Sequence, residues 1–289
     1  MKELISLIDK HLDEYIPISY PESIFKAMKY TLMLPGKRLR PVMCLETARI
    51  LGADIKKAMP AACAIEMIHA QSLIHDDLPC MDNDDFRRGK PSNHKVFGEA
   101  NAVLAGDALL ILAPQIIIEK SKDLSPSQIV KILKEYASFA GVYGLIGGQT
   151  ANIEAEKSVL TRTSEETLKF IHQNKTASLF RLAVRAGTII AETNENTAEK
   201  FDDFGVQFGL AFQIYDDIMD EISSFEELGK TAGKDKNAGK LTYVLLYGLE
   251  EAKKQFNILI NKCYDIMNEY NSRIFTEILD KLRDRIGSF

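Results

Sequence analysis

The chain of 289 residues is 46% hydrophobic and 27% charged, with a formal net charge of −5. These values are typical of a soluble globular protein, and they do not favour nucleic-acid binding, which usually shows a basic surplus. No apolar run reaches about 18 residues, so we expect no membrane span. The four cysteines are scattered and form no C-x-x-C pair. We therefore expect a cytoplasmic protein with reduced thiols and with neither a disulfide framework nor a zinc site.

Apolar residues recur three and four positions apart along most of the chain, a spacing that predicts amphipathic helices. The first is MKELISLIDKHLDEYI at the N-terminus. The later candidates cover residues 22–33, 38–51, 57–77, 99–119, 126–146, 164–191, 196–222, 239–264 and 272–285. Ser125 before Pro126, and Thr163 or Ser164 before two glutamates, predict helix starts, and Gly52 predicts a helix end. We find no linker or repeat, and we predict one all-α domain over residues 1–289.

An acidic cluster, HDDLPCMDNDDFRRGK at 75–90, follows the apolar candidate helix 57–77. Residues seven apart on a helix differ by about 20°, so His69 and Asp76 share a face, whereas Asp77 points about 100° away. Pro79 should end the helix. Asp82 then lies on a loop that can fold back towards Asp76. The alternative is a solvated acidic loop, but Asp76 and Asp77 continue an apolar helix and do not begin in a polar region.

A second acidic cluster, FQIYDDIMD at 212–220, places Gln213, Asp216, Asp217 and Asp220 at i, i+3, i+4 and i+7. Two carboxylates about 4 Å apart repel by roughly 4 kcal/mol at an effective dielectric near 20, and a cation between them would remove that repulsion. Oxygen ligands without histidine or cysteine favour magnesium over zinc. Magnesium usually binds a few carboxylates together with substrate phosphates, so the two clusters predict a site for a phosphate-bearing ligand.

Basic side chains accompany the acidic clusters. They follow each cluster, begin a helix in LPGKRLRP, or lie in QNKTASLF, and they are Arg87, Arg88, Lys230, Lys234, Lys240, Lys37, Arg38, Arg40 and Lys175. Any one of these is more often a surface residue than a ligand. Their coincidence with two metal-type clusters predicts phosphate binding, to which a helix N-terminus also contributes.

Taken together, these stretches closely resemble the trans-prenyl diphosphate synthases, the short-chain family that includes farnesyl and geranylgeranyl diphosphate synthases of bacterial and plastid type. The resemblance is carried by GKRLRP at 36–41, DDLPCMD at 76–82, GGQ at 147–149, KT at 175–176, FQ at 212–213, DDIMD at 216–220, GKTAGKD at 229–235 and GKLTY at 239–243. It implies the isoprenoid synthase fold, a single large helical bundle around a central cavity, and a homodimer. It also implies head-to-tail condensation of isopentenyl diphosphate with dimethylallyl or geranyl diphosphate, with release of diphosphate.

The resemblance also implies residue roles. About three magnesium ions per active site would be held by carboxylates, namely Asp76, Asp77, Asp82, Asp216, Asp217 and Asp220. The allylic diphosphate would be bound by Arg87, Lys175, Thr176, Gln213, Lys230 and Lys240. Isopentenyl diphosphate would be bound by Lys37, Arg40, His69 and Arg88. Lys175 and the aspartates except Asp220 are the predicted catalytic residues. One departure is Asn152, where many relatives have aspartate in GGQxxD.

Product length should depend on the side chains one to two turns before Asp76, because the hydrocarbon tail would grow along that helix. In the family, an aromatic residue five positions before the first aspartate often stops growth at farnesyl. Gln71 occupies that position here, with Ser72 beside it. Neither is aromatic, yet other walls could close the channel. We predict farnesyl diphosphate as the product, with geranylgeranyl diphosphate as the alternative.

Two other classes of protein remain open from the sequence. A terpene cyclase also uses an aspartate-rich motif with magnesium, but it has no need for isopentenyl-binding residues such as Lys37, Arg40 and Arg88. A non-catalytic subunit of a prenyl synthase would be expected to lose motif aspartates, and none is lost here. His94 and His172 are expected to be surface or packing residues, and His75 has no assigned role.

Overall fold

The computed structural model describes residues 1–157, 162–222 and 240–287. Within these residues the chain is helical apart from one short antiparallel hairpin, β1 (Phe86–Arg87) with β2 (Lys90–Pro91). The helices are α1 (Lys2–Tyr15), α2 (Glu22–Leu32), α3 (Leu39–Ile50), α4 (Ile55–Asp76), α5 (Asn93–Phe97), α6 (Glu99–Lys120), α7 (Pro126–Ala140), α8 (Leu145–Glu156), α9 (Ser164–Ile171), α10 (Ser178–Ile190), α11 (Glu195–Ile222), α12 (Tyr243–Tyr247), α13 (Leu249–Asn268) and α14 (Arg273–Gly287). A π-helical turn (His172–Ala177) joins α9 to α10. The predicted all-α fold is confirmed.

Helix α4 is central, as its apolar sequence predicted. Its side chains are buried on nearly every face, and it packs against α3, α6 and α10. The core continues through α11 and α13 and reaches from Ile8 in α1 to Ile286 in α14. The described helices thus share one core, while the prediction of a single domain over residues 1–289 also covers residues beyond them and stays a prediction.

Capping signals in the sequence located two helix starts. Ser125 and Thr163 each accept a backbone hydrogen bond as N-caps, with Gln128 and Glu166 completing a reciprocal pair of bonds. Gly52 follows α3 with φ of 92°, a left-handed conformation that ends the helix as predicted.

The prediction of one helix over residues 126–146 was wrong. Helix α7 ends at Ala140, and α8 begins only at Leu145. A Cβ atom at Gly144 would lie 2.1 Å from the carbonyl oxygen of Phe139, so the chain turns where only glycine fits. Val142 and Tyr143 continue the apolar pattern of the sequence across this turn, although both side chains are exposed in the structure. Helix α8 was therefore missed.

The prediction of one helix over residues 239–264 was also wrong. The helical part divides into α12 and α13 at Gly248, whose φ of 82° ends α12. Gly98, with φ of 81°, separates the unpredicted α5 from α6 in the same way. A single glycine inside an apolar pattern is tolerated in many helices, so the pattern alone did not indicate these breaks.

Helix α6 is the one helix in the described part of the chain that is long and apolar enough to cross a membrane, by length and composition alone. The buried side of α6 packs against α4, its main helical neighbour. Packing within the bundle accounts for that side alone, since 39% of the apolar stretch of α6 is buried and Leu104, Ile111 and Ile118 are exposed.

Two glycines enclose the π-helical turn that carries Lys175 and Thr176. A Cβ atom at Gly148 of α8 would lie 2.2 Å from the backbone nitrogen of Lys175. A Cβ atom at Gly209 of α11 would lie 2.4 Å from the Cα atom of Ala177. Both neighbours are backbone atoms, so α8 and α11 can approach the turn this closely only without a side chain.

We therefore expect Gly209→Ala to lower the free energy of unfolding by about 1–3 kcal/mol, because the added methyl group overpacks a backbone contact. A loss of stability would be informative, because alanine normally stabilises a helix interior by about 0.5–1 kcal/mol relative to glycine. Urea denaturation measures the change. Gly287→Ala is the control, because a Cβ atom there meets nothing within 4 Å. Equal stability of the Gly209→Ala variant and the wild type would contradict the close approach.

Candidate active site

A cavity of about 470 Å³ lies between α3, α4, α8, the π-helical turn, α10, α11, α14 and the hairpin. Eleven of the residues singled out in the sequence line it, and they are Lys37, Arg40, His69, Ser72, Asp76, Arg87, Arg88, Lys175, Thr176, Gln213 and Asp216. Distant sequence motifs thus meet in one place. We refer to Asp76 and Asp216 as the acidic side of the cavity and to Lys37, Arg40 and Arg88 as its basic side. Apolar side chains such as Leu179 and Phe212 line the same cavity.

Helix α4 contributes a stripe of side chains to the cavity. His69, Ser72, Leu73 and Asp76 all line it, as their helical spacing predicted. Burial, with the charges of Asp82 and Asp77 nearby, raises the pKa of Asp76 to about 6, although Lys175 opposes the shift. A carboxylate whose charge is disfavoured by burial and by like charges is a suitable place for a cation.

Asp77 faces away from this cavity. It is 1% exposed, and its carboxylate accepts a hydrogen bond of 3.0 Å from Nε of Arg87 and another from Nη2 of the same side chain. These bonds and the surrounding aspartates raise the pKa of Arg87, overcoming the lowering effect of burial. The structure therefore places Asp77 behind the cavity wall, where it holds the hairpin arginine.

The loop after α4 folds back as predicted. The backbone nitrogen of Asp82 donates to the carbonyl oxygen of Asp76 at 2.8 Å, and the Asp82 carboxylate lies 3.5 Å from Nζ of Lys240. Asp82 lines neither of the two described cavities. It joins the first acidic motif to the chain that begins α12.

The second acidic motif is divided between two cavities. Asp216 lines the main cavity, whereas Asp217 and Asp220 line a neighbouring one of about 190 Å³ together with Lys240. The predicted single polar stripe is thus split across two sides of α11. Within the described ranges no three Asp, Glu, His or Cys side chains converge closely enough to hold a metal ion alone. Ligand oxygens would have to complete any magnesium shell here, which is how magnesium usually binds.

A hydrogen-bond chain links these two cavities. The hydroxyl of Thr176 donates to Oε1 of Gln213, and Nε2 of Gln213 donates to Asp217 at 2.9 Å. Asp217 also accepts a bond of 2.7 Å from the backbone nitrogen of Tyr243, at the start of α12. His172 lies 3.7 Å from this carboxylate, and burial lowers the pKa of His172 to about 3, so its ring is neutral. It is a packing residue, as expected.

The basic side of the cavity carries desolvated cations. Burial lowers the pKa of Arg40 to about 10, and its guanidinium lies 4.3 Å from the ring centroid of Phe180. Burial also lowers the pKa of Lys37 and of Arg88. His69 has a pKa well below its ordinary value because of burial and the surrounding arginines, so it is a neutral hydrogen-bonding group. These cations have lost part of their hydration through burial. An anionic ligand in the cavity would compensate their charge.

Several lining residues were missed by the sequence analysis, namely Phe86, Leu145, Leu179, Phe212, Tyr215, Met219 and Arg285. Arg285, near the end of α14, adds a further cation at the Lys37 side, since its charge lowers the pKa of Lys37. No motif surrounds it in the sequence, and only the chain's return to the cavity identifies it.

Gln71 does not line the cavity. It is buried, and its Nε2 atom lies 3.0 Å from Nδ1 of His75, whose Nε2 atom lies 3.1 Å from the carbonyl oxygen of Val103 on α6. His75 therefore links α4 to α6. Lys230 and Lys234 lie outside the described residues.

Asn152, the position that departs from the family pattern, is buried on α8. It donates to Oε1 of Glu156 at 2.8 Å. Burial raises the pKa of Glu156, whose neighbours include Lys240 and Asp82. An amide at position 152 thus supports a carboxylate beside the first motif. His94 is buried and lies 3.1 Å from the hydroxyl of Ser92, in agreement with a packing role.

Comparison with curated proteins gives relatives of similar sequence. The chain is 49% identical to a chloroplastic geranylgeranyl pyrophosphate synthase of Capsicum annuum over 247 residues, which are 86% of this chain and 66% of that protein. It is 47% identical to the chloroplastic heterodimeric geranylgeranyl pyrophosphate synthase large subunit 1 of Arabidopsis thaliana over 250 residues, 86% of this chain and 67% of that one. The chain thus spans about two thirds of the length of these relatives.

Among solved structures, the fold is similar to that of a geranyltransferase from Helicobacter pylori complexed with magnesium and isoprenyl diphosphate. The TM-score is 0.85 at 29% identity, and the match covers 99% of this chain and 95% of that one. The family model for polyprenyl synthetase matches residues 21–282. That match includes both acidic motifs and every described residue that lines the main cavity except Arg285. The chain therefore belongs to the polyprenyl synthetase family, a family of prenyltransferases.

Proposed function

We propose that the chain condenses isopentenyl diphosphate with allylic diphosphates and makes geranylgeranyl diphosphate. The observation that carries this proposal is the single cavity with Asp76 and Asp216 on its acidic side and Lys37, Arg40 and Arg88 on its basic side. Two diphosphates need two sets of cations, and a growing hydrocarbon needs an apolar space between them. A terpene cyclase would need only one diphosphate site, so the basic side favours a condensing enzyme.

The magnesium-binding residues would be the aspartates that face ligands. Asp76 lines the cavity from α4 and Asp216 lines it from α11, whereas Asp220 lines the adjacent cavity. Bound magnesium would supply Lewis-acid stabilisation of the charge that develops on the leaving diphosphate. Asp77 and Asp217 are buried and bonded to neighbouring chain, so we propose supporting positions for them. Asp82 would join the acidic side through the loop that carries it.

The protein's own groups would bind both substrates and hold them for reaction. Arg87, Lys175 and Thr176 would hold the allylic diphosphate, and their positive charge and hydrogen bonds strengthen as its carbon–oxygen bond breaks. Lys37, Arg40, Arg88 and neutral His69 would orient isopentenyl diphosphate so that its double bond attacks the allylic carbon. A proton then leaves the new cation, and the released diphosphate can accept it. Leu179 and Phe212 line the same cavity and would help to exclude water from the reacting carbon atoms.

The proposed product differs from the farnesyl diphosphate that the sequence analysis favoured. The two curated relatives described above are named as geranylgeranyl pyrophosphate synthases. Gln71 is buried against His75 and adds no aromatic ring at its level of α4. The names of these relatives support the alternative of a twenty-carbon product. The non-aromatic residue at position 71 agrees with it by the family pattern alone, because Gln71 does not line the described cavity.

Incubation with isopentenyl diphosphate, dimethylallyl diphosphate and magnesium should give a twenty-carbon product, identified by chromatography after dephosphorylation. Gln71→Tyr tests whether the hydrocarbon tail extends past the described cavity to the place where Gln71 is buried against His75: a shorter product would place the end of the tail there, and an unchanged product would show that another wall stops growth. Ile50→Tyr, at the end of α3 and outside the cavity lining, is the control and should leave product length unchanged. Fifteen-carbon product from the wild type would contradict the assignment, and no condensation at all would contradict the proposed function.

The adjacent aspartates Asp76 and Asp77 should respond in opposite directions to conversion to asparagine. In magnesium-free buffer at pH 8, we expect Asp77→Asn to lower the free energy of unfolding by about 3 kcal/mol, because it breaks a buried pair with Arg87. Asp76→Asn should raise it, because a folded pKa of about 6, above the ordinary 3.8, means that the ionised carboxylate is destabilising.

The pH dependence gives a second measurement of the same effect. The penalty at Asp76 is fully present above its folded pKa and disappears as the pH falls through about 6 towards 3.8. The stability difference between Asp76→Asn and the wild type should therefore shrink over that range. Turnover should fall about a hundredfold or more in Asp76→Asn despite the higher stability. A loss of stability in Asp76→Asn equal to that in Asp77→Asn would show that both aspartates have the same surroundings.

We also propose a homodimer in a reducing, cytoplasmic location. Support for the dimer comes from α6, where Leu104, Ile111 and Ile118 are exposed at a spacing of seven residues, so they form one apolar stripe. All four cysteines are free thiols, in agreement with a reducing compartment. One relative is named as a heterodimeric large subunit. A different chain bound to the apolar stripe of α6 is therefore the alternative to a second copy of this chain.

Light scattering should give the mass of two chains for the wild type and of one chain for Ile111→Glu, because the charge would be buried in an apolar interface. Ile258→Glu on α13 is the control, since Ile258 is also exposed and lies on another helix. A monomeric wild type would contradict the homodimer.

A further inference from the structure

A buried ion-pair network lies behind the basic side of the cavity. Its centre is Arg38, which is 3% exposed and lies in the turn before α3. Nε of Arg38 donates to Asp9 of α1 at 2.8 Å, and Nη1 donates to Glu66 of α4 at 2.8 Å. Nη2 donates to the carbonyl oxygen of Leu34 at 3.2 Å. One guanidinium therefore joins α1, α4 and the loop between α2 and α3.

The Leu34 carbonyl connects this network to the cavity. It accepts a second hydrogen bond, also of 3.2 Å, from Nη1 of Arg88, which lines the cavity. The guanidinium of Arg88 lies against the same loop, because a Cβ atom at Gly36 would be 2.6 Å from Nη1 of Arg88. The position of Arg88 thus depends on where Arg38 holds the loop.

The same loop sets the positions of two more cavity residues. Lys37 and Arg40 flank Arg38, whose backbone has φ of 46° and ψ of 37°. This left-handed conformation is uncommon for a residue other than glycine, and it gives the chain a sharp turn between the two cavity cations. The buried side chain of Arg38, bonded through all three nitrogens, holds the turn in place.

Glu66 completes the arrangement from α4. It is 2% exposed and lies three residues before His69, so it occupies the same side of α4 one turn below the cavity. Its negative charge acts on Arg40 and on Arg88 as well as on Arg38, and it opposes the effect of burial on their pKa values. One carboxylate therefore offsets the mutual repulsion of three arginines.

We propose that Arg38 and Glu66 are positioning residues for the isopentenyl diphosphate side of the cavity, an inference that rests on the proposed function. Neither residue lines the cavity. The pair acts through the cations that do, by setting the loop that carries Lys37, the start of α3 that carries Arg40, and the carbonyl that binds Arg88. The hydrogen bonds of the allylic side join the π-helical turn to α11 through Thr176 and Gln213, and they do not involve Arg38 or Glu66.

Glu66→Gln tests the proposal, because it keeps the shape of the side chain and removes its charge. We expect the KM for isopentenyl diphosphate to rise about tenfold or more, since small displacements of substrate-binding groups are costly. The KM for the allylic substrate should stay within about twofold of the wild-type value. Calorimetric titration with isopentenyl diphosphate alone, which cannot react without an allylic substrate, should show the same loss of affinity.

Glu46→Gln is the matched control for the loss of a buried carboxylate. Glu46 is fully buried on α3, and it accepts a bond of 2.7 Å from Nε of Arg49, away from the Leu34 loop. We expect it to lower the melting temperature and to leave the affinity for isopentenyl diphosphate unchanged. An equal loss of affinity in Glu46→Gln and Glu66→Gln would overturn the positioning role, because it would show a general effect of stability.

A double variant, Arg38→Met with Glu66→Met, keeps the test valid if Glu66→Gln folds poorly. Replacing a buried ion pair by apolar side chains of similar volume often preserves stability. We expect this variant to fold and to bind isopentenyl diphosphate about tenfold or more weakly, because the loop loses its bonds. Wild-type affinity in the double variant would overturn this proposal alone. A wild-type protein that binds no isopentenyl diphosphate would overturn the proposed function and this inference with it.

Discussion

The burial of charged side chains beside an apolar core is the constraint on which the rest of this structure depends. An ion removed from water loses several kcal/mol of hydration, and only nearby opposite charge or hydrogen bonds recover it. Arg38 with Glu66, and Arg87 with Asp77, recover it inside the protein. On the cavity walls burial prevails, which is why the pKa of Asp76 rises and that of Arg40 falls. A ligand that carries both phosphate and metal would supply the missing charge to both walls.

The cavity is built from many elements. Its acidic residues come from the ends of α4 and α11, and its basic residues come from the α3 turn, the hairpin, the π-helical turn and α14. Opposite charges act on one another across the cavity: Asp216 opposes the lowering of the pKa of Lys37 and of Arg40, and Lys175 opposes the rise in the pKa of Asp76. Burial prevails at all three groups, so the charges compensate one another only in part. This gathering of partly compensated charges is thus a property of the whole bundle.

The sequence predicted the regular parts of this bundle well and its interruptions poorly. Helical periodicity located α4 and α11, and capping residues located the starts of α7 and α9. Periodicity did not indicate the breaks at Gly144 and Gly248, because apolar residues continue the pattern on both sides of each glycine. The break at Gly144 depends on a close approach to the Phe139 carbonyl oxygen, and the break at Gly248 depends on a left-handed backbone conformation. Both features belong to the folded structure and cannot be read from apolar periodicity. Arg285 was missed for a similar reason, since only the path of α14 brings it to the cavity.

The sequence predicted well which residues come together in the site. It predicted less well which atoms each of those residues contacts. Consecutive residues on a helix point about 100° apart, so the two carboxylates of an aspartate pair face different neighbours. In each motif the first aspartate, Asp76 or Asp216, lines the main cavity. The second is buried and bonds to a neighbouring element, with Asp77 accepting from the hairpin at Arg87 and Asp217 from the start of α12 at Tyr243.

Each aspartate pair therefore combines two functions on one turn of helix. One carboxylate lines the cavity, and the other is hydrogen-bonded to a segment that follows the motif. The sequence shows each aspartate pair but does not show which residue bonds to its second carboxylate. Arg87 lies ten residues after Asp77, and Tyr243 lies twenty-six residues after Asp217. The arrangement also couples the two cavities through Thr176, Gln213 and Asp217. Displacement of the Thr176 hydroxyl on the π-helical turn would thus reach the start of α12 through Gln213 and Asp217. If Thr176 binds the allylic diphosphate as proposed, these hydrogen bonds link that binding to the position of α12.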